Sequence, residues 1–179
     1  MPGFERTLLT LVALGGLCAA SAPTKPEPNF GAPVTETELQ RYLAIPPSGA
    51  GLPPGSGDVA KGKEVFAEKC AACHGDNLQG VKGTGGVALI GGRGTLASAK
   101  PVATVESYWP YATTLFDYVR RAMPFNAPGS LTDDEVYAVA AFILAEGHIV
   151  PENAVLDAKT LPRVEMPNRA GFYPDPRPK

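Results

Sequence analysis

The chain has 179 residues and a mass of 18.7 kDa, enough for one domain with extensions, which excludes a large multidomain enzyme. Sixteen Lys and Arg residues stand against 18 Asp and Glu residues, so the net charge is −2. This balance gives no broad attraction for nucleic acid or an anionic membrane surface, and neither is expected as a partner.

The N-terminus has the composition of a secretory signal. An apolar run of 14 residues follows Arg6 and ends at Ala20, which is too short to span a bilayer as a helix. Small residues follow, so cleavage near Ala20 or Ala22 is predicted, and residues 1–22 would direct the chain to the periplasm. Because Pro23 is a poor residue after a cleavage site, an uncleaved signal that anchors the chain in the membrane is the alternative.

Both ends of the remaining chain are rich in proline. Residues 23–57 contain 13 Gly or Pro residues among 35, interrupted by residues 35–43, which could form two helical turns capped by Thr35. This segment is predicted to be an N-terminal arm. Residues 150–179 contain six prolines and few apolar side chains. No regular structure is predicted there, and the composition fits either a disordered tail or a strap on the domain.

Residues 58–149 form the predicted folded domain. Its first helix starts after Asp58, a suitable N-cap, and runs to Lys69. The second helix has apolar side chains at positions i, i+3, i+4 and i+7, and it ends at Met123 because Pro124 follows. Those apolar residues are Leu115, Tyr118, Val119 and Ala122.

The third predicted helix is the clearest. It starts with a capping box formed by Thr132 and Glu135, and it ends before Gly147. One apolar stripe is predicted along it, made of Val136, Val139, Ala140, Ile143 and Leu144. No segment alternates with a period of two over a useful length, so the domain is predicted to be all-α with long loops.

The loop between the first and second helices is rich in glycine. From Gly75 to Gly94 there are eight glycines in 20 residues, as expected for backbone that turns tightly or lies against a flat surface. Three modest helices with this much loop have a small core. A large buried ligand is therefore expected to supply the missing apolar surface.

The motif Cys70-Ala71-Ala72-Cys73-His74 follows the first helix. Its two thiols lie one helical turn apart and can form thioethers to both vinyl groups of a haem. The adjacent His74 can bind the iron from the same side. One haem c, attached through Cys70 and Cys73, is therefore predicted.

Three other uses of the two cysteines fit the sequence less well. A zinc site needs further ligands, and only His148 is available once Cys18 has left with the signal. A thioredoxin-like redox pair would follow a strand, whereas a helix precedes this motif. A disulfide between residues three apart on a helix would be strained.

The second axial ligand must come from elsewhere in the chain, and Met123 is predicted to supply it. It lies 49 residues after His74, at a helix end fixed by Pro124. The alternative ligands are Met166, which also precedes a proline, and His148. In either case Met123 would be an ordinary core methionine. Thioether ligation raises the reduction potential, and two filled axial positions leave no site for O₂ or substrate, so electron transfer without catalysis is predicted.

These motifs resemble a class I cytochrome c, with Gly62 and Phe66 matching the first helix of that family and Phe142 the last, where the two helices cross. Longer segments are similar to the cytochrome subunits of bacterial molybdenum-dependent sulfite dehydrogenases and of the related sulfane dehydrogenase. They are Gly51–Gly57, Gly91–Leu96, Tyr108–Tyr118, Met123–Pro128 and Met166–Phe172. The resemblance covers roughly residues 30–176 and implies that the arm and the C-terminal extension belong to the fold. The sulfane dehydrogenase cytochrome has two haems, whereas this chain has one C-x-x-C-H motif, which favours the sulfite type.

The resemblance implies a division of labour between two subunits. A separate molybdopterin subunit would oxidise sulfite to sulfate, and this chain would accept the electrons one at a time and pass them to a soluble cytochrome c or a terminal oxidase. Arg93, Trp109 and Tyr111 are candidates to donate hydrogen bonds to the haem propionates, because buried carboxylates need donors. The alternative for the two aromatic residues is core packing, and for Arg93 a solvated loop charge.

Two other functions compete with this assignment. A free monohaem shuttle unrelated to sulfur would need little beyond the haem domain, so the long Pro-rich arm and extension argue against it. A peroxidase-like haem enzyme would require Met123 to leave the iron.

Overall fold

The computed structural model describes residues 31, 33–35, 38, 44–174 and 176–177. The predicted signal at residues 1–22, and almost all of the helical turns predicted at residues 35–43, lie outside the described residues. By its contacts the chain divides into two units, Met1–Val34 and Thr35–Lys179, and the elements below belong to the second.

The described part of the second unit contains four helices and two short strands. In chain order they are β1 (Ser56–Asp58), α1 (Val59–Lys69), α2 (Ala71–His74), α3 (Ala112–Ala122), α4 (Asp133–Glu146) and β2 (Val155–Asp157), followed by a 3₁₀ helix at Leu161–Arg163. The three longest helices are the three that the sequence predicts. None of the described helices has the length and apolar character needed to cross a bilayer.

The helix ends are set by the side chains that the sequence indicated. The Asp58 carboxylate accepts a hydrogen bond from the Lys61 N–H at 2.7 Å and caps α1. Thr132 and Glu135 form both bonds of a capping box: the Glu135 N–H donates to the Thr132 hydroxyl at 3.3 Å, and the Thr132 N–H donates to the Glu135 carboxylate at 2.8 Å. These bonds satisfy donors that the first turn of a helix leaves unpaired. The predicted helix starts are therefore confirmed.

Helices α1 and α4 cross at Gly62. A Cβ atom at this position would lie 1.9 Å from the carbonyl oxygen of Ala138, so only glycine allows the two backbones to approach this closely. One turn further along, the rings of Phe66 and Phe142 pack with centroids 5.2 Å apart. The crossing expected from Gly62, Phe66 and Phe142 is confirmed.

Helix α4 is the centre of the core. All ten residues from Val136 to Ala145 are buried, although the sequence predicted a single apolar stripe. The stripe was too narrow a prediction because α1, α3, β1 and β2 all contact α4 and surround it. Periodicity within one helix cannot show how many sides its distant neighbours cover.

The C-terminal extension contains regular structure that its composition did not predict. Strand β2 pairs antiparallel with β1, and Leu156 lies opposite Gly57. Leu156, Leu161 and Met166 are buried in the core. The partner of β2 lies about 100 residues earlier in the chain, so local composition gives no sign of this pairing.

Residues that precede β1 also contact the helical core. Ile45 is buried, and its N–H donates to the carboxylate of Asp117 in α3 at 3.2 Å. Gly49 lies against Pro162 of the 3₁₀ helix, where a Cβ atom would be 2.3 Å from the proline ring. The two Pro-rich segments therefore touch each other, while the predicted domain boundaries stay predictions.

We expect Gly62→Ala to lower the free energy of unfolding by about 2 kcal/mol, because the new Cβ would overlap the carbonyl of Ala138. On an exposed helix the same change would raise the free energy of unfolding by about 0.5–1 kcal/mol. A decrease would therefore indicate the close approach of the two helices. Lys63→Ala, at an exposed neighbouring position on α1, is the control. Denaturant titration of the purified proteins measures both, and a stabilised Gly62→Ala protein would contradict the close crossing.

The capping box should make stability depend on pH. The Thr132 N–H, its hydroxyl and Lys69 lower the pKa of the Glu135 carboxyl. A lowered pKa stabilises the fold above the unfolded value of about 4.3, and this stabilisation is lost as the pH falls through the folded pKa. Glu135→Gln keeps an acceptor for Thr132 without the charge. We expect it to be less stable than wild type by about 0.5 kcal/mol at pH 7, and we expect this difference to shrink as the pH falls below about 4.3.

Denaturant midpoints measured across this pH range test the expectation. Glu68→Gln, on the exposed part of α1, is the control and should show no such convergence. A Glu135→Gln deficit that stays constant down to pH 3 would show that the charge of Glu135 is not what stabilises this helix start.

Candidate functional site

The cysteine motif occupies a single helical turn. Helix α1 ends at Lys69, and Cys70 then serves as the first residue of the α2 turn. The N–H groups of Cys73 and His74 donate to the carbonyl of Cys70 at 3.1 and 3.0 Å. This turn places Cys70 and Cys73 side by side and presents His74 next to them, as the C-x-x-C-H spacing indicates.

The imidazole of His74 is held by the backbone of the Gly-rich loop. Its Nδ1 atom lies 2.8 Å from the carbonyl oxygen of Val87. A carbonyl only accepts, so Nδ1 carries the proton and donates it, which leaves the lone pair of Nε2 free. Metal-binding histidines commonly make this second hydrogen bond, because it fixes both the tautomer and the ring orientation. His74 is therefore arranged as a metal ligand through Nε2.

The Gly-rich loop folds directly onto the motif. The N–H of Gly80 donates to the carbonyl of His74 at 2.6 Å, and the N–H of Val81 donates to that of Cys73 at 2.9 Å. Gly80 has φ +78°, and a Cβ atom on Gly86 would lie 2.0 Å from the Cys73 carbonyl oxygen. These glycines let the loop close over the motif and bring its later residues to the histidine.

The two cysteines are free thiols in different surroundings. Cys70 is half-buried, and its burial raises the pKa of the thiol to about 11, whereas Cys73 is exposed. They are not joined by a disulfide. Within the described residues, no three side chains of His, Cys, Asp or Glu are grouped so as to hold a metal ion.

Met123 lies where the sequence places it, at the C-terminal end of α3. Its N–H still bonds to the Val119 carbonyl at 3.1 Å, but its backbone is extended, so the side chain leaves the helix here. The side chain is partly buried against the core. By contrast Met166 is enclosed in the core at 3% exposure, and His148 is exposed after the end of α4. Among the three candidates for the second ligand, Met123 is the one whose side chain is partly accessible and whose backbone is fixed by the end of a helix.

Arg93 is paired within the protein. Its Nε lies 2.5 Å from the carboxylate of Glu106, and its terminal N–H donates to the Gly147 carbonyl at 2.5 Å. Glu106 also accepts from the N–H of Gly91. Arg93 thus ties its loop to the segment around Glu106 and to the end of α4, so it is not a simply solvated loop charge. Its predicted contact with a haem propionate stays a prediction.

Trp109 and Tyr111 lie next to helix α3. The Trp109 ring makes an edge-to-face contact with Tyr118 of α3, with centroids 5.7 Å apart. Tyr111 immediately precedes α3, and the guanidinium of Arg169 lies 5.4 Å from the centre of its ring. Both aromatic residues are partly exposed, and their predicted hydrogen bonds to the haem propionates also stay a prediction.

Sequence reasoning missed three groups that organise the site. The Val87 carbonyl is a backbone atom, and no side-chain pattern reveals it. Glu106 is one acidic residue among 18, and only its place beside Arg93 gives it a role. Asn168 donates to the Tyr108 carbonyl at 2.7 Å from the C-terminal extension, across 60 residues of sequence. Each depends on a contact between distant segments.

The residues present fit a covalently bound haem. Two thiols on one turn match the spacing of the two vinyl groups, and an oriented imidazole nitrogen lies beside them. The glycine-rich loop packs directly on this turn, because Gly86 has no side chain to collide with the Cys73 carbonyl. A partly accessible methionine follows α3, where a second axial ligand is expected.

Comparison with known proteins agrees with this geometry. A family model described as cytochrome c matches residues 59–145. A chain of the sulfane dehydrogenase SoxCD from Paracoccus pantotrophus is 41% identical, with a TM-score of 0.77, over 84% of this chain and 74% of that one. Thiosulfate dehydrogenase from Stutzerimonas stutzeri (strain A1501) is 33% identical over 119 residues, which are 64% of this chain and 34% of that relative.

This chain therefore spans about a third of the length of the thiosulfate dehydrogenase that it matches. The SoxCD chain, in contrast, is matched over most of both molecules. Taken with the helical core and the C-x-x-C-H turn, these matches show that the chain belongs to the cytochrome c family, as a class I cytochrome c related to sulfur-oxidising enzymes.

Proposed function

We propose that this chain is the electron-transfer haem subunit of a periplasmic sulfur-oxidising dehydrogenase. The observation that carries the proposal is the contact of His74 Nδ1 with the Val87 carbonyl, because it leaves Nε2 ready to bind iron beside the two thiols. Membership of the cytochrome c family supports one covalent haem c. Cys70 and Cys73 would attach it, and His74 and Met123 would bind its iron.

Bound haem supplies a one-electron iron couple, and the residues of this chain decide how that couple is used. With His74 and Met123 both bound to the iron, no ligand position would be left for O₂ or a substrate. The Val87 carbonyl keeps the imidazole proton on Nδ1 and so holds the ring orientation. The chain is thus suited to electron transfer, and the oxidation of substrate falls to a partner subunit.

We assign sulfite as the substrate of that partner and a molybdopterin protein as the partner itself. Support comes from the similarity to a chain of a sulfane dehydrogenase and to a thiosulfate dehydrogenase, both sulfur-oxidising enzymes by name. The single C-x-x-C-H motif favours the sulfite type. Oxidation of sulfite to sulfate releases two electrons, which this chain would accept one at a time and pass to a soluble cytochrome c or a terminal oxidase.

The test begins with the tagged chain isolated gently from the periplasm of its native host. We expect about one molybdenum per haem, a mass increase of one covalent haem, and rapid reduction of the haem by added sulfite. Thiosulfate is the comparison substrate. If thiosulfate reduces the haem and sulfite does not, thiosulfate replaces sulfite as the assigned substrate. If the chain is isolated without molybdenum and neither compound reduces its haem, a free electron shuttle is favoured.

Met123→Leu should abolish the near-infrared methionine-to-iron band of the oxidised protein at pH 7, because leucine has no sulfur to bind iron. The reduction potential should fall, since a weaker ligand or water would replace the thioether. Met166→Leu is the matched control: it also alters a methionine before a proline, but one enclosed in the core. Optical spectra and redox titration measure both variants. If Met166→Leu loses the band and Met123→Leu keeps it, the ligand assignment is reversed.

A further inference from the structure

The C-terminal extension carries an exposed aromatic surface. Tyr108, Phe172 and Tyr173 are 43%, 51% and 84% exposed, and the rings of Tyr108 and Phe172 meet edge to face with centroids 5.2 Å apart. Together with Arg169 we name these residues the aromatic face. Scattered exposed apolar residues are ordinary, but rings in contact on the surface, accompanied by arginine, are typical of protein interfaces.

The aromatic face is built on an anchored segment. The side-chain amide of Asn168 donates to the Tyr108 carbonyl at 2.7 Å, and the main-chain carbonyl of Asn168 accepts from the Gly171 N–H at 3.0 Å. Arg169 lies over the ring of Tyr111, and Met166 is enclosed in the core. The side chains are therefore displayed from a fixed backbone, which lowers the entropy cost of binding a partner.

A concave surface adjoins the aromatic face. A cavity of about 330 Å³ lies between the Arg93 loop and the extension and is lined in part by Arg93, Ser107 and Asn168. A second cavity, of about 420 Å³, lies beside β1 and the start of α4 and is lined in part by acidic side chains. Asn168 thus borders the first cavity and also holds Tyr108.

The charge of the extension points to the chemistry of the partner. After β2, residues 158–179 carry five Lys or Arg residues and two Asp or Glu residues, a net charge of +3. The preceding 157 residues carry eleven and sixteen, a net charge of −5. The whole extension, residues 150–179, has a net charge of +1, and its part after β2 is a positive segment on a negative protein. It favours a partner whose facing surface is acidic, since complementary charges steer association.

The aromatic face lies along the chain that leads to the site. Tyr108 is followed by Trp109, whose ring contacts Tyr118 of α3, and α3 ends at Met123. Tyr111, under Arg169, immediately precedes the same helix. A partner seated here would lie next to Trp109, whose ring packs on the helix that ends at the proposed iron ligand.

We infer that the aromatic face is the surface through which this cytochrome exchanges electrons, and that it docks an acidic surface of the catalytic subunit. The inference rests on the proposed function for the identity of the partner. The location of the surface rests on the exposed rings, their anchoring and the charge of the extension.

The location can be tested without any partner protein. The reduced haem protein is oxidised with hexacyanoferrate(III), an anion, and separately with tris(phenanthroline)cobalt(III), a cation. Arg169→Glu should slow oxidation by the anion about three- to tenfold at low ionic strength and accelerate oxidation by the cation. High salt should remove most of both effects. Lys63→Glu, an equal charge reversal on exposed α1, should alter neither rate beyond twofold, and Arg169→Lys should behave as wild type.

The identity of the partner is tested with the complex from the native host. Tyr173→Ala and Arg169→Glu should each reduce the molybdenum recovered per haem, or the rate of sulfite-driven haem reduction, about fivefold or more. Val155→Ala, at an exposed position on β2, and Lys63→Glu are the controls and should match wild type. Retained methionine-to-iron bands show that all variants keep the haem site.

The outcomes separate the two proposals. If sulfite reduces the haem equally in all variants and the ion probes show no charge selectivity at Arg169, the docking surface is overturned while the proposed function stands. If the wild-type chain yields no molybdenum and ignores sulfite, but Arg169→Glu still discriminates between the two ions, the sulfite dehydrogenase assignment fails and the electron-exchange surface is supported.

Discussion

The contact on which the rest of this structure depends is the crossing of α1 and α4 at Gly62. There the backbones approach so closely that a single Cβ atom would lie 1.9 Å from the Ala138 carbonyl oxygen. The crossing fixes the direction of α1, and α1 delivers Cys70 to the start of the next turn. Because the other elements pack around α4, a displacement of α1 at this crossing would disturb the packing of the whole core and the position of the cysteine motif.

The second layer of organisation is made by backbone groups. Carbonyls of Cys73 and His74 accept bonds from the Gly-rich loop, and the loop in return offers the Val87 carbonyl to the imidazole. This close packing of loop and motif requires glycine at Gly86, where any side chain would collide with the Cys73 carbonyl. The orientation of the proposed iron ligand is thus set by a loop without regular secondary structure, and the abundance of glycine there follows from that task.

The two Pro-rich ends are linked to the domain by specific contacts. Ile45 bonds to the Asp117 carboxylate, which also pairs with Arg121 of the same helix. Asn168 and Arg169 hold the segment from Tyr108 to Tyr111. Proline lowers the entropy of the unfolded chain, so such segments can be fixed by few contacts. They leave helix α3 packed on its inner side while the aromatic rings remain available on the surface.

The sequence by itself determined the three main helices and their caps at Asp58 and Thr132, and it predicted the helical turn of the C-x-x-C-H motif, because each depends on residues within one or two turns. Tertiary structure alone decided that α4 is buried on all sides, that β2 pairs with β1, and that Arg93 binds Glu106. These features join segments far apart in the chain, and no local pattern encodes their meeting. For the same reason the sequence predicted His74 as a ligand, but only the folded loop showed the carbonyl that holds its imidazole.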